Sequence, residues 1–144
     1  MNKRTAEAVW QGELKDGEGK LKLGSGLFEG NYSFSSRFQS GEGTNPEELV
    51  GAAHAGCFSM ALANLLAEAG YSPRKVETEA EVSLAEVDGD FEITGITLVT
   101  EGRVPGISKA DFLAQARIAK DNCPVSKALS GTKIELEAKL VSAG

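Results

Sequence analysis

Cysteine and histidine are scarce in this chain of 144 residues, which has two cysteines and one histidine. Cys57 and Cys123 lie far apart, so the chain has neither the CxxC spacing of a thioredoxin-like redox site nor the close spacing of a zinc site. A domain of this length buries roughly 68–70% of its unfolded surface and needs no disulfide in order to fold. The two thiols are therefore better explained by reactivity, and a reversible disulfide between them is our first hypothesis.

A basic excess is also missing, because the net charge is −6, the isoelectric point is about 4.9 and the basic residues are scattered. A nucleic-acid-binding protein usually concentrates the opposite charge on one face, so we expect no nucleic-acid partner. The N-terminal residues lack the apolar run of a signal peptide, and no stretch approaches the length of a membrane span. The sequence thus predicts a soluble, cytoplasmic protein without a membrane partner, folded as one domain over residues 1–144.

Alternation of polar and apolar residues predicts six strands. In the third strand, Tyr32, Phe34 and Phe38 share one face and Arg37 lies on the other. The fifth strand loses its phase near Gly95, which predicts a β-bulge. The predicted strands cover residues 5–14, 20–23, 32–38, 76–84, 91–104 and 133–140.

Helix signals stand between these strands. Asn45 can cap a helix that begins with a proline, and apolar or small residues predict that this helix is buried on nearly all sides to about Ala69. Ser108 predicts the start of an amphipathic helix to about Lys120, and a short helix is predicted over residues 123–129. The order βββ-α-ββ-αα-β indicates an α+β domain.

Each of the two thiols has a structural and a chemical interpretation. Cys57 lies in a run of small residues in the predicted buried helix, where a cysteine commonly packs as a small hydrophobe. Cys123 precedes Pro124 at a predicted helix start, where free backbone N–H groups favour a thiolate, although a cap chosen for shape alone gives the same pattern. The coexistence of the two thiols favours redox chemistry.

Arg37 and Glu47 are candidates for the surroundings of a reactive sulfur. An arginine next to a thiolate stabilises it and can donate hydrogen bonds to an oxygen-rich substrate, and a paired carboxylate would hold the guanidinium in place. The alternatives are a solvated strand face for Arg37 and favourable helix-dipole electrostatics for Glu47 and Glu48. When Arg37, Glu47 and Glu48 are considered one at a time, these alternatives explain each residue better than a place beside a reactive sulfur does.

His54 lies three positions before Cys57, on nearly the same helical face. A Cys–His pair could act as a thiol hydrolase. However, both side chains come from one rigid helix without an obvious oxyanion loop beside them, and a packed histidine is the commoner case. Two cysteines and one histidine without close spacing are likewise a poor zinc site.

A set of short segments, spread over essentially the whole chain, forms a pattern that is specific only in combination. The segments are Ser-Arg-Phe (36–38), Thr-Asn-Pro-Glu-Glu-Leu (44–49), Gly-Ala-Ala-His-Ala (51–55), Cys-Phe-Ser-Met-Ala-Leu (57–62), Val-Pro-Gly-Ile (104–107) and Cys-Pro-Val-Ser (123–126). This pattern resembles the osmotically inducible protein C family, whose sister group is the organic hydroperoxide resistance proteins. The resemblance implies antiparallel sheets around a buried central helix and an intertwined homodimer.

The resemblance also implies a thiol-dependent peroxidase that reduces organic hydroperoxides, and more weakly hydrogen peroxide, to alcohols in oxidative or osmotic stress defence. By position, Cys57 would be the peroxidatic cysteine and Cys123 the resolving one. Arg37 would activate the thiolate and bind the peroxide, and Glu47 would orient Arg37. The resemblance implies no metal, haem or other cofactor, no catalytic part for His54, and an external dithiol reductant such as lipoyl groups on carrier proteins.

Glu47 and Cys57 pose a geometric problem, because ten residues of unbroken helix span about 15 Å. The two residues can share a site only if the helix breaks near Gly51 or Gly56, or if a partner subunit supplies one of them. Together with the small residues on the helix surface, which permit close approach, this favours a homodimer with sites at the subunit interface.

Two further expectations concern substrate and activity. An apolar pocket near Phe58 and Met60 would favour bulky organic peroxides over hydrogen peroxide. The rival function is a redox-sensitive binding protein, in which the disulfide changes conformation or partner affinity without turnover. The peroxidase requires that Cys57 is ionised at neutral pH and lies within bonding reach of Cys123.

Overall fold

Three short strands open the part of the chain that is described by this computed structural model, residues 2–141. β1 (Ala6–Gln11), β2 (Glu18–Leu23) and β3 (Glu29–Tyr32) pair as an antiparallel meander, which confirms the predicted hairpin. The third strand begins and ends earlier than predicted and shares only Tyr32 with the predicted range 32–38. These strands belong to the first of two compact units, and the second unit begins at Val50.

A short helix, α1 (Phe34–Phe38), follows β3 where the alternation predicts a continued strand. The side chain of Ser33 accepts a hydrogen bond from the backbone N–H of Ser36 at 3.1 Å, and Ser36 Oγ accepts one from the backbone N–H of Ser33 at 2.9 Å. This reciprocal cap satisfies two backbone donors and starts the helix. The prediction of one strand over residues 32–38 is therefore wrong, and Arg37 lies on a helix.

The longest helix, α2 (Pro46–Glu68), begins where the sequence predicts and runs unbroken across the boundary between the units. In the second unit, β4 (Lys75–Val87) and β5 (Asp90–Arg103) form a long antiparallel hairpin. The pairing register of this hairpin shifts opposite residues 93–95, which confirms the predicted bulge near Gly95.

Two helices, α3 (Lys109–Asn122) and α4 (Pro124–Ala128), follow β5 and lead into β6 (Ile134–Val141). β6 pairs with β5 in the parallel direction, so the second sheet is mixed, with the order β4-β5-β6. A parallel pair needs a crossover connection, which α3 and α4 supply. The α+β class is confirmed, and the expectation of antiparallel sheets is corrected at this one pair.

One face of α2 supplies the centre of the core in the second unit. Phe58, Leu62 and Leu66 are spaced one helical turn apart and are completely buried. They belong to one hydrophobic cluster with Ile96 and Leu98 of β5. Since the full burial of such a side chain contributes about 1.5–3 kcal/mol, this stripe anchors α2.

The opposite face of α2 is exposed in the single chain. Ala52, Ala53 and Gly56 are exposed, and Met60 is 77% exposed. The prediction of burial on nearly all sides is thus wrong for the single chain, because one sheet and two helices cover only one face. Within residues 2–141, α2 is also long and apolar enough to cross a membrane, with a mean hydropathy of 1.5, contrary to the expectation from the sequence. On its other face, Phe58, Leu62 and Leu66 are buried in the core of the second unit.

Candidate active site

Cys123 occupies the junction between α3 and α4 and caps both helices. Its backbone N–H donates to the carbonyl of Ala119 at 3.0 Å, and its Sγ accepts a hydrogen bond from the backbone N–H of Ser126 at 3.4 Å. Pro124 fills the first position of α4, where a missing N–H has no consequence. The predicted helix start is confirmed, and its capping sulfur is buried against backbone donors.

Cys57, on α2, meets the same helix start. Its thiol lies close enough to the side chain of Cys123 and to the backbone N–H of Val125 for both to act on its pKa. Both thiols are free. The fold therefore brings together two cysteines that lie far apart in the sequence, as a reversible disulfide requires.

The immediate surroundings of Cys57 disfavour its thiolate. Burial raises the pKa of Cys57, and the neighbouring Cys123 raises it further, by favouring the protonated thiol and by repulsion between two ionised sulfurs. The N–H of Val125 lowers this pKa, because it stabilises the thiolate, but the net direction is upward. The expectation of a thiolate at neutral pH is therefore wrong for the single chain, in which the interacting side chain is a second thiol.

A buried polar chain continues from Cys123. Its thiol donates to Ser126 Oγ at 3.1 Å, and Ser126 Oγ lies 2.7 Å from His54 Nε2. His54 is completely buried, and its Nδ1 has no hydrogen-bond partner within residues 2–141. Burial lowers the pKa of His54, which keeps the ring neutral at pH 7. Because Nε2 is engaged with a serine, the arrangement does not match a hydrolase pair of His54 with Cys57.

Ser126 is the residue of this cluster that sequence reasoning missed. The sequence does place Ser126 near Cys123, because the backbone N–H three positions after a helix cap faces the capping side chain. Its contact with His54, 72 positions away in the chain, has no local signal.

Arg37 and Glu47, in the first unit, form a two-point ion pair. Arg37 Nε donates to Glu47 Oε1 at 3.0 Å, and Nη2 donates to Oε2 at 2.9 Å. Glu47 is buried, and the guanidinium lies 5.2 Å from the centroid of the Phe38 ring. Glu48 instead accepts a hydrogen bond from Thr44 Oγ1 at 2.6 Å. The structure thus pairs Arg37 with Glu47 rather than with Glu48, as the resemblance implies.

The same arginine borders a cavity of about 370 Å³ in the first unit. A cationic fork at the edge of an apolar cavity suits a molecule with an oxygen-rich head and a hydrocarbon body. The expected apolar pocket near Phe58 and Met60 is confirmed at Met60, which lines a separate pocket of about 250 Å³ with Ser59 and Ala63, whereas Phe58 lies in the core. The cavity is lined by Arg37 together with Trp10, Leu14, Phe34 and Phe38, among others.

α2 shows no break at either glycine where one is expected. Gly51 packs against β4, where an added Cβ would lie 3.3 Å from a methyl group of Val82, and Gly56 faces open space. A helix break near either glycine, one of the two arrangements considered from the sequence, is therefore not observed.

Comparison with known proteins identifies the family. A family model described as OsmC-like protein matches residues 39–137. Peroxiredoxin OsmC of Escherichia coli K12 is 46% identical over 140 residues, which cover 96% of this chain and 97% of that protein. The organic hydroperoxide resistance protein OhrB of Bacillus subtilis is 41% identical over 100 residues, 67% of this chain and 71% of that protein. The crystal structure of OhrB matches with a TM-score of 0.72 at 27% identity, covering 95% of this chain and 98% of that one. This chain belongs to the OsmC-like family.

Proposed function

We propose that this chain reduces organic hydroperoxides to alcohols through a sulfenic acid on Cys57 and a disulfide between Cys57 and Cys123. As a member of a family that includes a peroxiredoxin and is related to organic hydroperoxide resistance proteins, the chain is a thiol-dependent peroxidase. The observation that supports the mechanism is the closeness of the two free thiols beside the start of α4.

The proposed cycle has three steps. The Cys57 thiolate attacks the distal peroxide oxygen, the O–O bond breaks, and the leaving alkoxide takes up a proton to become an alcohol. Cys123 then attacks the sulfur of the sulfenic acid, which gives the disulfide and one water molecule. An external dithiol finally reduces the disulfide by thiol–disulfide exchange and regenerates both thiols.

The cycle needs no prosthetic cofactor, because sulfur itself gives up the two electrons that the peroxide takes. Within the described range 2–141, no group of three or more His, Cys, Asp or Glu side chains could hold a metal ion. We assign the reducing role to small dithiols or to lipoyl groups on carrier proteins. We place this activity in the cytoplasm, in oxidative or osmotic stress defence, with residues 1–144 acting as a single peroxidase domain.

The cavity beside Arg37 supports organic hydroperoxides as the substrate class. Its aromatic and aliphatic lining accommodates a hydrocarbon body, while the guanidinium can donate to the peroxide oxygens. Hydrogen peroxide has no hydrocarbon body to bury, so it gains nothing from this lining and is the weaker substrate.

A homodimer is part of the proposal and rests on three observations. The helix α2 leaves an apolar face exposed, and it is unbroken between Glu47 and Cys57. In addition, burial and Cys123 raise the pKa of Cys57 in the single chain. We assign to one protomer the Arg37–Glu47 pair that serves the Cys57 of its partner. The arriving cation would offset the raised pKa and supply the thiolate.

The dimer predicts that Met60→Lys weakens self-association. Met60 is 77% exposed in the single chain, so the substitution costs a monomer little, whereas an unpaired charge inside an interface costs about 3–5 kcal/mol, roughly 10²- to 10⁴-fold in Kd. Leu27→Lys, at a side chain that is 90% exposed in the first unit, is the control and should leave association unchanged. Sedimentation velocity over a dilution series measures both. A monomeric wild type, or equal weakening by both substitutions, contradicts the proposal.

Peroxide turnover tests the proposed function. With cumene hydroperoxide and excess dihydrolipoamide, the wild type should consume many equivalents of peroxide, and hydrogen peroxide more slowly. Intact-mass measurement after peroxide alone should show one intramolecular disulfide in the wild type and sulfenic or higher acids at Cys57 in Cys123→Ser. Consumption of a single equivalent in the presence of the dithiol would instead favour a redox-sensitive binding protein.

A further inference from the structure

Three buried side chains form a hydrogen-bonded chain at the start of α4, and the proposed cycle gives two of them no role. The Cys123 thiol donates to Ser126 Oγ at 3.1 Å, and Ser126 Oγ lies 2.7 Å from His54 Nε2. Their exposed fractions are 1% for Cys123, 4% for Ser126 and 0% for His54. This hydrogen-bonded chain therefore connects the sulfur that must lose a proton to the only histidine of the protein.

The hydrogens of this hydrogen-bonded chain can be assigned from its donors and acceptors. A serine hydroxyl has one hydrogen, and Ser126 Oγ already accepts from the Cys123 thiol, so its own hydrogen donates to His54 Nε2. The neutral ring then has its proton on Nδ1, which is buried and has no partner within residues 2–141. An unpaired buried N–H is unfavourable, and a leucine at this position would avoid it. The histidine is thus a poor choice for packing alone.

We propose that Ser126 and His54 form a proton relay that removes the proton of Cys123 during disulfide formation. This inference rests on the proposed function, since it concerns the step in which Cys123 resolves the Cys57 sulfenic acid. Ser126 touches the reacting sulfur and is the catalytic residue. His54 acts through Ser126 as the residue that positions the hydroxyl and holds the proton.

The step balances without any external reagent. The S–H bond of Cys123 breaks, its proton passes to Ser126 Oγ, and the hydroxyl hydrogen of Ser126 passes to His54 Nε2. The sulfur electron pair of Cys123 attacks the sulfur of the Cys57 sulfenic acid, the S–O bond breaks, and hydroxide leaves. The hydroxide takes up one proton to become water while His54 gives up the proton it received. The sum is one sulfenic acid and one thiol converted to one disulfide and one water molecule.

The resting chemistry of the ring agrees with this role. Burial lowers the pKa of His54, so the ring is neutral before the peroxide arrives and its Nε2 is free to accept a proton. The direction of the hydrogen bond from Cys123 to Ser126 also means that the relay is already aligned in the reduced protein. The attacking thiol can therefore become a thiolate without water entering the buried site.

Time-resolved oxidation separates this relay from the steps around it. A stopped-flow reaction with one equivalent of cumene hydroperoxide, sampled by acid quench and mass spectrometry, follows sulfenic acid formation at Cys57 and its decay to the disulfide. His54→Gln keeps a hydrogen-bonding amide but not a base, and Ser126→Ala removes the hydroxyl. Both should slow the decay by about 10²-fold or more, the usual contribution of general acid–base catalysis, while sulfenic acid formation changes by less than roughly twofold.

Matched variants and a spectroscopic measurement decide the outcome. Ser126→Thr retains the hydroxyl and should restore most of the rate, and Ser130→Ala, at an exposed serine beyond α4, should behave as wild type. Nitrogen NMR of protein labelled in its single histidine should show the proton on Nδ1 and not on Nε2, whichever variants fold. Unchanged decay in His54→Gln, equal slowing of both steps, or a proton on Nε2 would overturn the relay. A wild type that forms no sulfenic acid at Cys57 would reject the proposed function itself.

Discussion

Substituting serine for Cys57 should reduce peroxide turnover to the uncatalysed background. The serine hydroxyl ionises far too weakly to act as the nucleophile and cannot form a sulfenic acid, so the cycle cannot begin. Because serine is close to cysteine in size and Cys57 is only partly buried, the melting temperature should stay within roughly 5 °C of the wild type. Consumption of cumene hydroperoxide with dihydrolipoamide measures the loss, and a thermal scan checks the fold.

Cys123→Ser is the matched control, because it also removes one of the two thiols. It should still consume the first equivalent of peroxide but should not turn over, because up to two further equivalents carry Cys57 to irreversible sulfinic and sulfonic acids. Turnover by Cys57→Ser above the background would show that the peroxide reacts elsewhere. Loss of the first equivalent in Cys123→Ser would give Cys123, and not Cys57, the peroxidatic role.

Features that follow from local physics could be predicted from the sequence. The helix that starts at Pro46, the cap at Cys123 and the bulge near Gly95 each depend on a few neighbouring residues, and each lies where the sequence places it. The helix α1 was not predicted, because the local pattern of its residues is ambiguous. Over five residues, alternating aromatic positions fit a strand as well as a helix, and the reciprocal hydrogen bonds of Ser33 and Ser36 decide the outcome.

Features that depend on distant contacts could not be predicted. The parallel pairing of β5 with β6 is set by the crossover through α3 and α4, which no local pattern encodes. The bond between His54 and Ser126 joins different helices, so the histidine could only be assigned as packed or catalytic in general terms. The pKa of Cys57 was predicted in the wrong direction, because burial and a second thiol act on it in the single chain.

Arg37→Met should slow sulfenic acid formation by about 10²- to 10³-fold, the cost of removing a donor that stabilises developing charge. It should also raise the pKa of Cys57 in the assembled protein, because the guanidinium is the cation that we assign to the thiolate. A thiol reacts as its thiolate, so a raised pKa moves the rise of the alkylation rate to higher pH and lowers the rate at pH 7. The pH dependence of iodoacetamide labelling in a Cys123→Ser background measures this shift.

Glu47→Gln separates the orientation of Arg37 from its charge. The carboxylate holds the guanidinium through two hydrogen bonds, and replacing it with an amide leaves the cation but removes the two-point pairing. Peroxide reduction should therefore slow by about tenfold, which corresponds to the free energy lost with one charge-assisted hydrogen bond. The pKa of Cys57 should not rise, because a negative charge has been removed from its surroundings.

Arg117→Lys is the control for a change at an arginine, since Arg117 is exposed on α3. It should alter neither the labelling profile nor the peroxide rate. If Arg37→Met leaves the labelling profile of Cys57 where it is in the wild type, the cation that activates the sulfur lies elsewhere. Loss of a nearby negative charge can only lower the pKa of Cys57 by electrostatics. If Glu47→Gln instead raises this pKa as much as Arg37→Met does, the ion pair acts by keeping the site around Arg37 folded and not through the charge of Arg37.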